Sequence, residues 1–285
     1  MIASRLAPKG QASMNAQCLP PLGFVGGGKM ASALVRGILR AGLAMPADVI
    51  VGEPVADLRE SLASQTGVEV TPNNAAVVGR SKLIVLAVKP QVMSAVLAEL
   101  KPLVRPDQLI VSVAAGITLR QLGEGLGTNQ RVIRVMPNTP CLVGAGASGY
   151  CLGPSATAED GKLVERLLGA VGVAYQVPES LLDAVTGLSA SGPAFVALVI
   201  EALSDGGVRA GLPRDVAAPL AAQTVLGTAR MVLELGLHPA QVKDMVASPG
   251  GTTIAGVHAL ERGGLRASLM DAVLAAAQRA RELGQ

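Results

Sequence analysis

From Leu22 onward the chain alternates short runs of Val, Ile and Leu with amphipathic stretches of 10 to 15 residues. Strand-length apolar runs separated by helix-period sequence predict βαβ units and a parallel sheet. Strands are expected at 22–26, 48–52, 68–70, 83–88, 108–114 and 131–136, with weaker ones near 148–152 and 173–177. The runs at 83–88 and 108–114 are continuously apolar, as strands must be when helices cover both faces of a parallel sheet. From about Pro178 the strand signal stops. Residues 180–283 carry the period of a helix, broken at Gly192-Pro193, Gly211-Leu212-Pro213, 236–239, 248–253 and Gly263-Gly264. The pattern divides the chain into a leader over 1–21, an α/β domain over 22–178 and an all-helical part over 179–285.

The helical part is more apolar than a free-standing bundle needs. The stretches LVIEALSDGGVRAGL and DVAAPLAAQTVLGTARMVLELGL are apolar around most of the helix circumference. Such helices must be covered, so this half is expected to form a homo-oligomer interface; an ordinary intrachain core is the alternative. Half the residues are hydrophobic and mean hydropathy is +0.46. No run of about 18 uncharged apolar residues accompanies that excess, so no membrane span is expected.

Charge and cysteines remove further classes. The formal charge is +3, from 24 Lys+Arg against 21 Asp+Glu, with two Phe, two Tyr and no Trp. Neither a basic stripe nor a set of stacking rings is present, which argues against nucleic-acid binding. Cys18, Cys141 and Cys151 are sparse, odd in number and without CxxC spacing, which suits a reducing compartment rather than a disulfide scaffold. The leader carries Arg5 and Lys9, and the first acid of the chain is Asp48. That composition hints weakly at an organelle transit peptide, while the lack of an apolar run disfavours a secretory signal. A cytoplasmic location is expected, with a plastid as the alternative.

Three loops carry candidate chemistry. The first strand runs into Gly26-Gly27-Gly28-Lys29-Met30-Ala31, which fits G-x-G-x-x-(G/A) opening a helix. Gly26 allows the tight turn, Gly28 lets backbone approach a pyrophosphate, Ala31 permits close helix–strand packing, and free N–H groups face the anion. The second strand ends at Glu53, at the spacing of the residue that meets the adenosine ribose. An acid there favours a 2′-hydroxyl over a 2′-phosphate, unless Glu53 is merely solvated at a strand end. Val88-Lys89-Pro90 and Met136-Pro137-Asn138-Thr139-Pro140 follow later strands at the same carboxyl edge, where open α/β sheets bind ligands. Lys89 is therefore either a contact residue or a surface lysine. Ser248-Pro249-Gly250-Gly251-Thr252-Thr253 precedes a helix near Ile254. Its glycines and hydroxyls make either an anion nest suited to a carboxylate or a plain N-cap.

The residues that are missing also restrict the chemistry. His238 and His258 lie beside no evident acid or nucleophile, and no cysteine pair or carboxylate cluster offers a metal site. Tyr150 and Tyr175 have no Lys at i+4, so the usual means of deprotonating an alcohol are lacking. A C=N substrate removes that need, because a protonated imine is already electrophilic.

At this point the sequence resembles the pyrroline-5-carboxylate reductase family, in its plant and green-algal form, over about residues 22–283. The segments that carry the resemblance are GFVGGGKMASALVRG, LAVKPQV, VSVAAGITL, RVIRVMPNTP, DAVTGLSASGPAFVALVIEALSDGGVRAGLPR, AAQTVLGTARMVLE and HPAQVKDMVASPGGTTIAGVHALERGGLRASLMDAV. The resemblance implies a Rossmann domain followed by an all-α dimerisation domain, with dimers assembled into higher oligomers. It implies reduction of (S)-1-pyrroline-5-carboxylate to L-proline by NADPH or NADH, the final step of proline synthesis. Carried over by position, Gly27, Lys29 and Met30 hold the pyrophosphate and Asn74 lies on the adenosine side. Ala87, Val88, Lys89 with Pro90, and Ala115 line the cofactor, and Asn138, Thr139 and Pro140 lie near the nicotinamide. Thr252 and Thr253 bind substrate with Ser248, Gly250 and Gly251 around them, Thr253 meets the ring nitrogen, and Glu179 matches a substrate-side position. Ala190 and Phe195 stand where many members have Gly and Tyr, and Glu53 stands where small polar residues often receive the 2′-phosphate. The alternative enzyme of similar build, a β-hydroxyacid or related imine oxidoreductase, needs a catalytic Lys, and the junction LLDAVTGLSASGPAF has none. A non-catalytic nucleotide sensor would have little use for the SPGGTT loop.

Overall fold

The structure is a computed structural model that describes residues 18–284. The leader expected over 1–21 therefore lies outside the described residues, except for 18–21. The strands are β1 (Leu22–Val25), β2 (Val49–Gly52), β3 (Glu69–Thr71), β4 (Leu83–Leu86), β5 (Leu109–Ser112), β6 (Arg131–Met136), β7 (Gly146–Leu152) and β8 (Gly172–Gln176). The helices are α1 (Lys29–Arg40), α2 (Ala56–Thr66), α3 (Asn74–Arg80), α4 (Pro90–Leu100), α5 (Leu119–Leu126), α6 (Ala158–Gly169), α7 (Leu182–Val185), α8 (Gly192–Arg209), α9 (Arg214–Leu235), α10 (Pro239–Val246), α11 (Thr252–Arg262) and α12 (Leu265–Leu283).

The strands form one sheet in the order β3-β2-β1-β4-β5-β6-β7-β8. β1 to β6 are parallel, β7 runs against β6, and β8 runs with β7. The alternation of side chains sorts two cores. Leu22, Phe24, Leu83 and Val85 join Leu34, Val35 and Ile38 of α1 on one face. Val25, Ile84, Leu86 and Ile110 join Val77, Met93 and Leu122 of α3, α4 and α5 on the other. Each large side chain buried this completely stabilises the fold by about 1.5–3 kcal/mol before conformational entropy is counted. That two-sided burial is why β4 and β5 read as unbroken apolar runs.

The described residues fall into two compact units, one of 18–193 with 273–284 and the other of 194–272. The sequence division at 178/179 marks where strands stop, whereas the units follow packing. Leu182 is fully buried in the sheet unit, and a Cβ on Gly187 would lie 2.5 Å from the Val273 carbonyl oxygen. Helical backbone thus continues past the last strand while still belonging to the sheet unit.

The break expected at Gly192-Pro193 is a change of helix type. Residues Thr186–Ala190 form a π turn, closed by Ser191 N–H donating to the Thr186 carbonyl at 2.9 Å. Pro193 has no N–H for the carbonyl four residues back, which belongs to Ser189. That carbonyl instead accepts from Asn138 Nδ2 at 2.9 Å.

The second unit buries little of itself. Among its described residues only Ser204, Ala217, Ala221 and Val242 are buried. Leu198, Leu220, Leu226, Leu233, Leu235 and Met270 are all more than half exposed. Two helical stretches, Glu179–Arg209 and Arg214–Leu235, are long and apolar enough to cross a membrane by length and composition. That criterion admits up to two charges in its window, so it is looser than the uncharged run whose absence the sequence shows.

Candidate functional site

The sheet order reverses between β1 and β4, so the loop after β1 opens at a topological switch point. Gly26 adopts φ 97°, and its N–H donates to the Gly52 carbonyl at 2.7 Å. A side chain there would be strained and its Cβ would lie 2.8 Å from the Ala87 carbonyl oxygen. Gly28 is the N-cap of α1, with no side-chain cap, no acid in the first turn and open space where a Cβ would stand. No bond among the described residues occupies the N–H groups of Gly28, Lys29 and Met30. A helix start in that condition is a positive, concave cradle, and a pyrophosphate fits it.

Glu53 and Gly27 differ from expectation. Glu53 is 8% exposed; its Oε2 accepts from Gly27 N–H at 2.8 Å and its Oε1 from Val55 N–H at 3.0 Å. The solvated alternative for Glu53 is thereby removed. The same bond turns the Gly27 amide onto Glu53, so its carried-over pyrophosphate contact does not fit, and the cradle begins at Gly28. Asn74 opens α3 beside Gly52, whose Cβ would lie 2.7 Å from Asn74 Oδ1, and its Nδ2 donates to Glu99 at 3.0 Å.

The remaining cofactor-side residues follow β4, β5 and β6. Ala87 N–H donates to the Val25 carbonyl at 2.8 Å, and Ala87 and Val88 are half-buried. Lys89 is the exposed N-cap of α4, with Pro90 at its first position. Ala115 is exposed between β5 and α5, and Thr139 and Pro140 open a short 3-10 turn, Thr139–Val143. Asn138 is buried and tied at both ends. Its Oδ1 accepts from Ala147 N–H at 2.9 Å while its Nδ2 holds Ser189. The parallel register brings these loops out at one carboxyl edge with Gly26.

Glu179, expected on the substrate side, is bonded within the sheet unit. Its Oε1 pairs with the buried Arg134 at 2.9 Å and accepts from Leu119 N–H at 2.7 Å, the first amide of α5. Those bonds neutralise a buried guanidinium and help seat a helix start, which is a structural role. Sequence reasoning missed this pair because Arg134 sits inside an apolar strand, and nothing local names a partner 45 residues away. The Cys151 thiol next to Arg134 in the sheet register is pushed up to about 11, chiefly by burial and then by the Glu179 charge. Burial likewise raises the Cys141 thiol. Both stay protonated near neutral pH and are poor nucleophiles.

The second cradle lies on the helical unit. Ser248 to Gly251 make a turn in which Gly251 N–H donates to the Ser248 carbonyl at 3.0 Å and Gly250 takes φ 66°. A Cβ on Gly251 would stand 2.2 Å from Ser248 Oγ, so only glycine lets the hydroxyl fold over the turn. Gly251 is the N-cap of α11 with no side-chain cap and no acid in its first turn. No bond among the described residues takes the Thr252 or Thr253 hydroxyl, and Thr253 is half-buried. The plain N-cap alternative expects a side chain closing the helix start, and none does. Amides and hydroxyls suited to a carboxylate remain.

Comparisons with known proteins agree over most of the chain. Residues 179–283 match the family model described as pyrroline-5-carboxylate reductase dimerisation, and residues 21–116 match one described as NADP oxidoreductase, coenzyme F420-dependent. A pyrroline-5-carboxylate reductase of Glycine max is 52% identical over 262 residues, which cover 92% of this chain and 95% of the relative. One from Arabidopsis thaliana is 51% identical over 264 residues, covering 93% and 95%. The structure of a pyrroline-5-carboxylate reductase from Coxiella burnetii matches with TM-score 0.89 at 36% identity, covering 93% of this chain and 99% of that one. The Plasmodium falciparum pyrroline carboxylate reductase, solved with NADP bound, matches with TM-score 0.83 at 33% identity, covering 94% and 100%. The chain belongs to the pyrroline-5-carboxylate reductase family.

Proposed function

We propose that the protein reduces (S)-1-pyrroline-5-carboxylate to L-proline with a reduced nicotinamide dinucleotide, closing proline synthesis. The observation that carries this reading is the pair of uncapped glycine-rich helix starts, at Gly28 and Gly251, in a chain about half identical to reductases of that name. The dinucleotide, when bound, supplies the hydride. Gly28, Lys29 and Met30 hold its pyrophosphate with backbone amides, and the Lys29 ammonium adds charge from an exposed position. The Thr252 and Thr253 amides and hydroxyls receive the substrate carboxylate, and the Thr253 hydroxyl hydrogen-bonds the ring nitrogen.

The imine nitrogen takes its proton from solvent before reduction. The chain's task is then orientation, exclusion of water and one hydrogen bond. His238 has a structural task instead: it caps α10, with Nδ1 accepting from Ala240 N–H at 3.2 Å. The exposed leucines and methionine of the helical unit support a homodimer through that unit, built into a higher oligomer, rather than a lipid-facing surface. A cytoplasmic location, with a plastid as alternative, is supported by three free cysteines.

The test is nicotinamide absorbance and proline production when purified protein meets pyrroline-5-carboxylate. Loss of absorbance matched mole for mole by proline is expected. A folded protein that binds nucleotide but consumes none would contradict the reading.

A further inference from the structure

We propose that Glu53 makes this chain select the dinucleotide without a 2′-phosphate, NADH over NADPH; the inference rests on the nucleotide reading of the Gly26–Met30 cradle. An acid at the end of the second strand can have three fates. It can hang in solvent, swing away from an incoming phosphate, or be fixed at the ribose position. Here the third holds.

Glu53 is 8% exposed and both carboxylate oxygens are bonded to backbone, Oε2 to Gly27 N–H at 2.8 Å and Oε1 to Val55 N–H at 3.0 Å. These two bonds hold the side chain in place and oppose the rotation that would carry it away from an incoming phosphate. Gly27 and Glu53 also fit against each other, since a Cβ on Gly27 would lie 2.9 Å from Glu53 Cβ. Turning Glu53 aside would break its bond to the Gly27 amide of the phosphate loop. An ionised carboxylate has about four acceptor sites. Two are used, and two are left for ribose hydroxyls.

The nearby cation does not reverse the preference. Arg59 is held in place by its Nη1, which donates to the Glu53 and Pro54 carbonyl oxygens at 2.8 and 2.7 Å. It braces the backbone that presents the carboxylate. Lys29 is exposed at the helix start and serves the phosphates that both dinucleotides share.

The test is direct binding to the whole protein, read by nicotinamide fluorescence with NADH and NADPH separately, at low and high salt. NADH is expected to bind about tenfold tighter or more, with the gap narrowing in salt as like-charge repulsion is screened. In Glu53→Ser the gap is expected to close mainly through tighter NADPH binding. Glu53→Gln sets an NH2 opposite a backbone donor, so it also narrows the gap while lowering the melting temperature. Equal or tighter NADPH binding by the unaltered protein overturns the proposal without any variant having to fold. So does a ratio that neither substitution moves. Binding of neither nucleotide by folded protein is a different failure, since it removes the cradle reading on which the proposal stands.

Discussion

Thr253 and Glu179 both enter as substrate-side residues by resemblance, and their surroundings are opposite. The Thr253 hydroxyl has no bond among the described residues and sits at an uncapped helix start, so its hydrogen bond is available to a ligand. Thr253→Val should lower kcat roughly tenfold or more while leaving nucleotide affinity unchanged, since a hydrogen bond to a charged group is worth about 1.5–3 kcal/mol. Unchanged turnover in steady-state kinetics would remove Thr253 from the chemistry. Glu179 is committed to Arg134 and Leu119. Glu179→Gln should leave the KM for pyrroline-5-carboxylate within about twofold. It should cost about 1–3 kcal/mol of stability in denaturant unfolding, moderated because the Glu179 side chain is 35% exposed. A large rise in KM with unchanged stability would return Glu179 to the substrate. The glycines and threonines were legible in the sequence because their chemistry is local, at fixed offsets from a helix start. The Arg134–Glu179 pair and the Gly27–Glu53 bond were not, because each depends on a partner brought near only by the sheet.

At the scale of elements, Asn138 joins three of them. It holds the loop after β6 to the start of β7 through Ala147 and to the π turn before α8 through Ser189. Just after the π turn Pro193 withholds an N–H from the Ser189 carbonyl, and Asn138 supplies the missing donor. Asn138→Ala leaves the half-buried Ala147 amide and Ser189 carbonyl without these partners, at up to about 1–3 kcal/mol each, and should lower Tm by several degrees in a thermal melt. Pro193→Ala returns an N–H to the helix, so the double variant should lose less than Asn138→Ala alone; equal losses would uncouple the two residues. Strand positions and helix breaks were readable because apolar period and Gly/Pro punctuation are local signals. The sequence also flagged Gly192-Pro193, but whether a proline ends a helix or reshapes it depends on a donor from elsewhere in the chain. The reversed direction of β7 was equally unreadable, since an apolar run carries no sign of which way its strand runs.

At the scale of the whole molecule, the helical unit has too much apolar surface for what it buries. Four buried residues among 194–272 cannot hold five helical stretches together by themselves, and the exposed leucines need covering. Dilution to nanomolar concentration, followed by light scattering and circular dichroism, should give no well-folded monomer. A stable, helical monomer would contradict the interface. The sequence showed this surplus directly, because apolar residues spread around a helix are counted without knowing the fold.

Direct transfer of hydride to a cyclic C=N bond can be followed atom by atom. Reduced nicotinamide carrying deuterium at the transferable position, mixed with pyrroline-5-carboxylate and the protein, should yield proline with one deuterium on the ring carbon that was doubly bonded to nitrogen. Mass spectrometry and proton NMR of the product read it. Proline without that deuterium, or no proline from a protein that binds the nucleotide, would contradict the reductase reading.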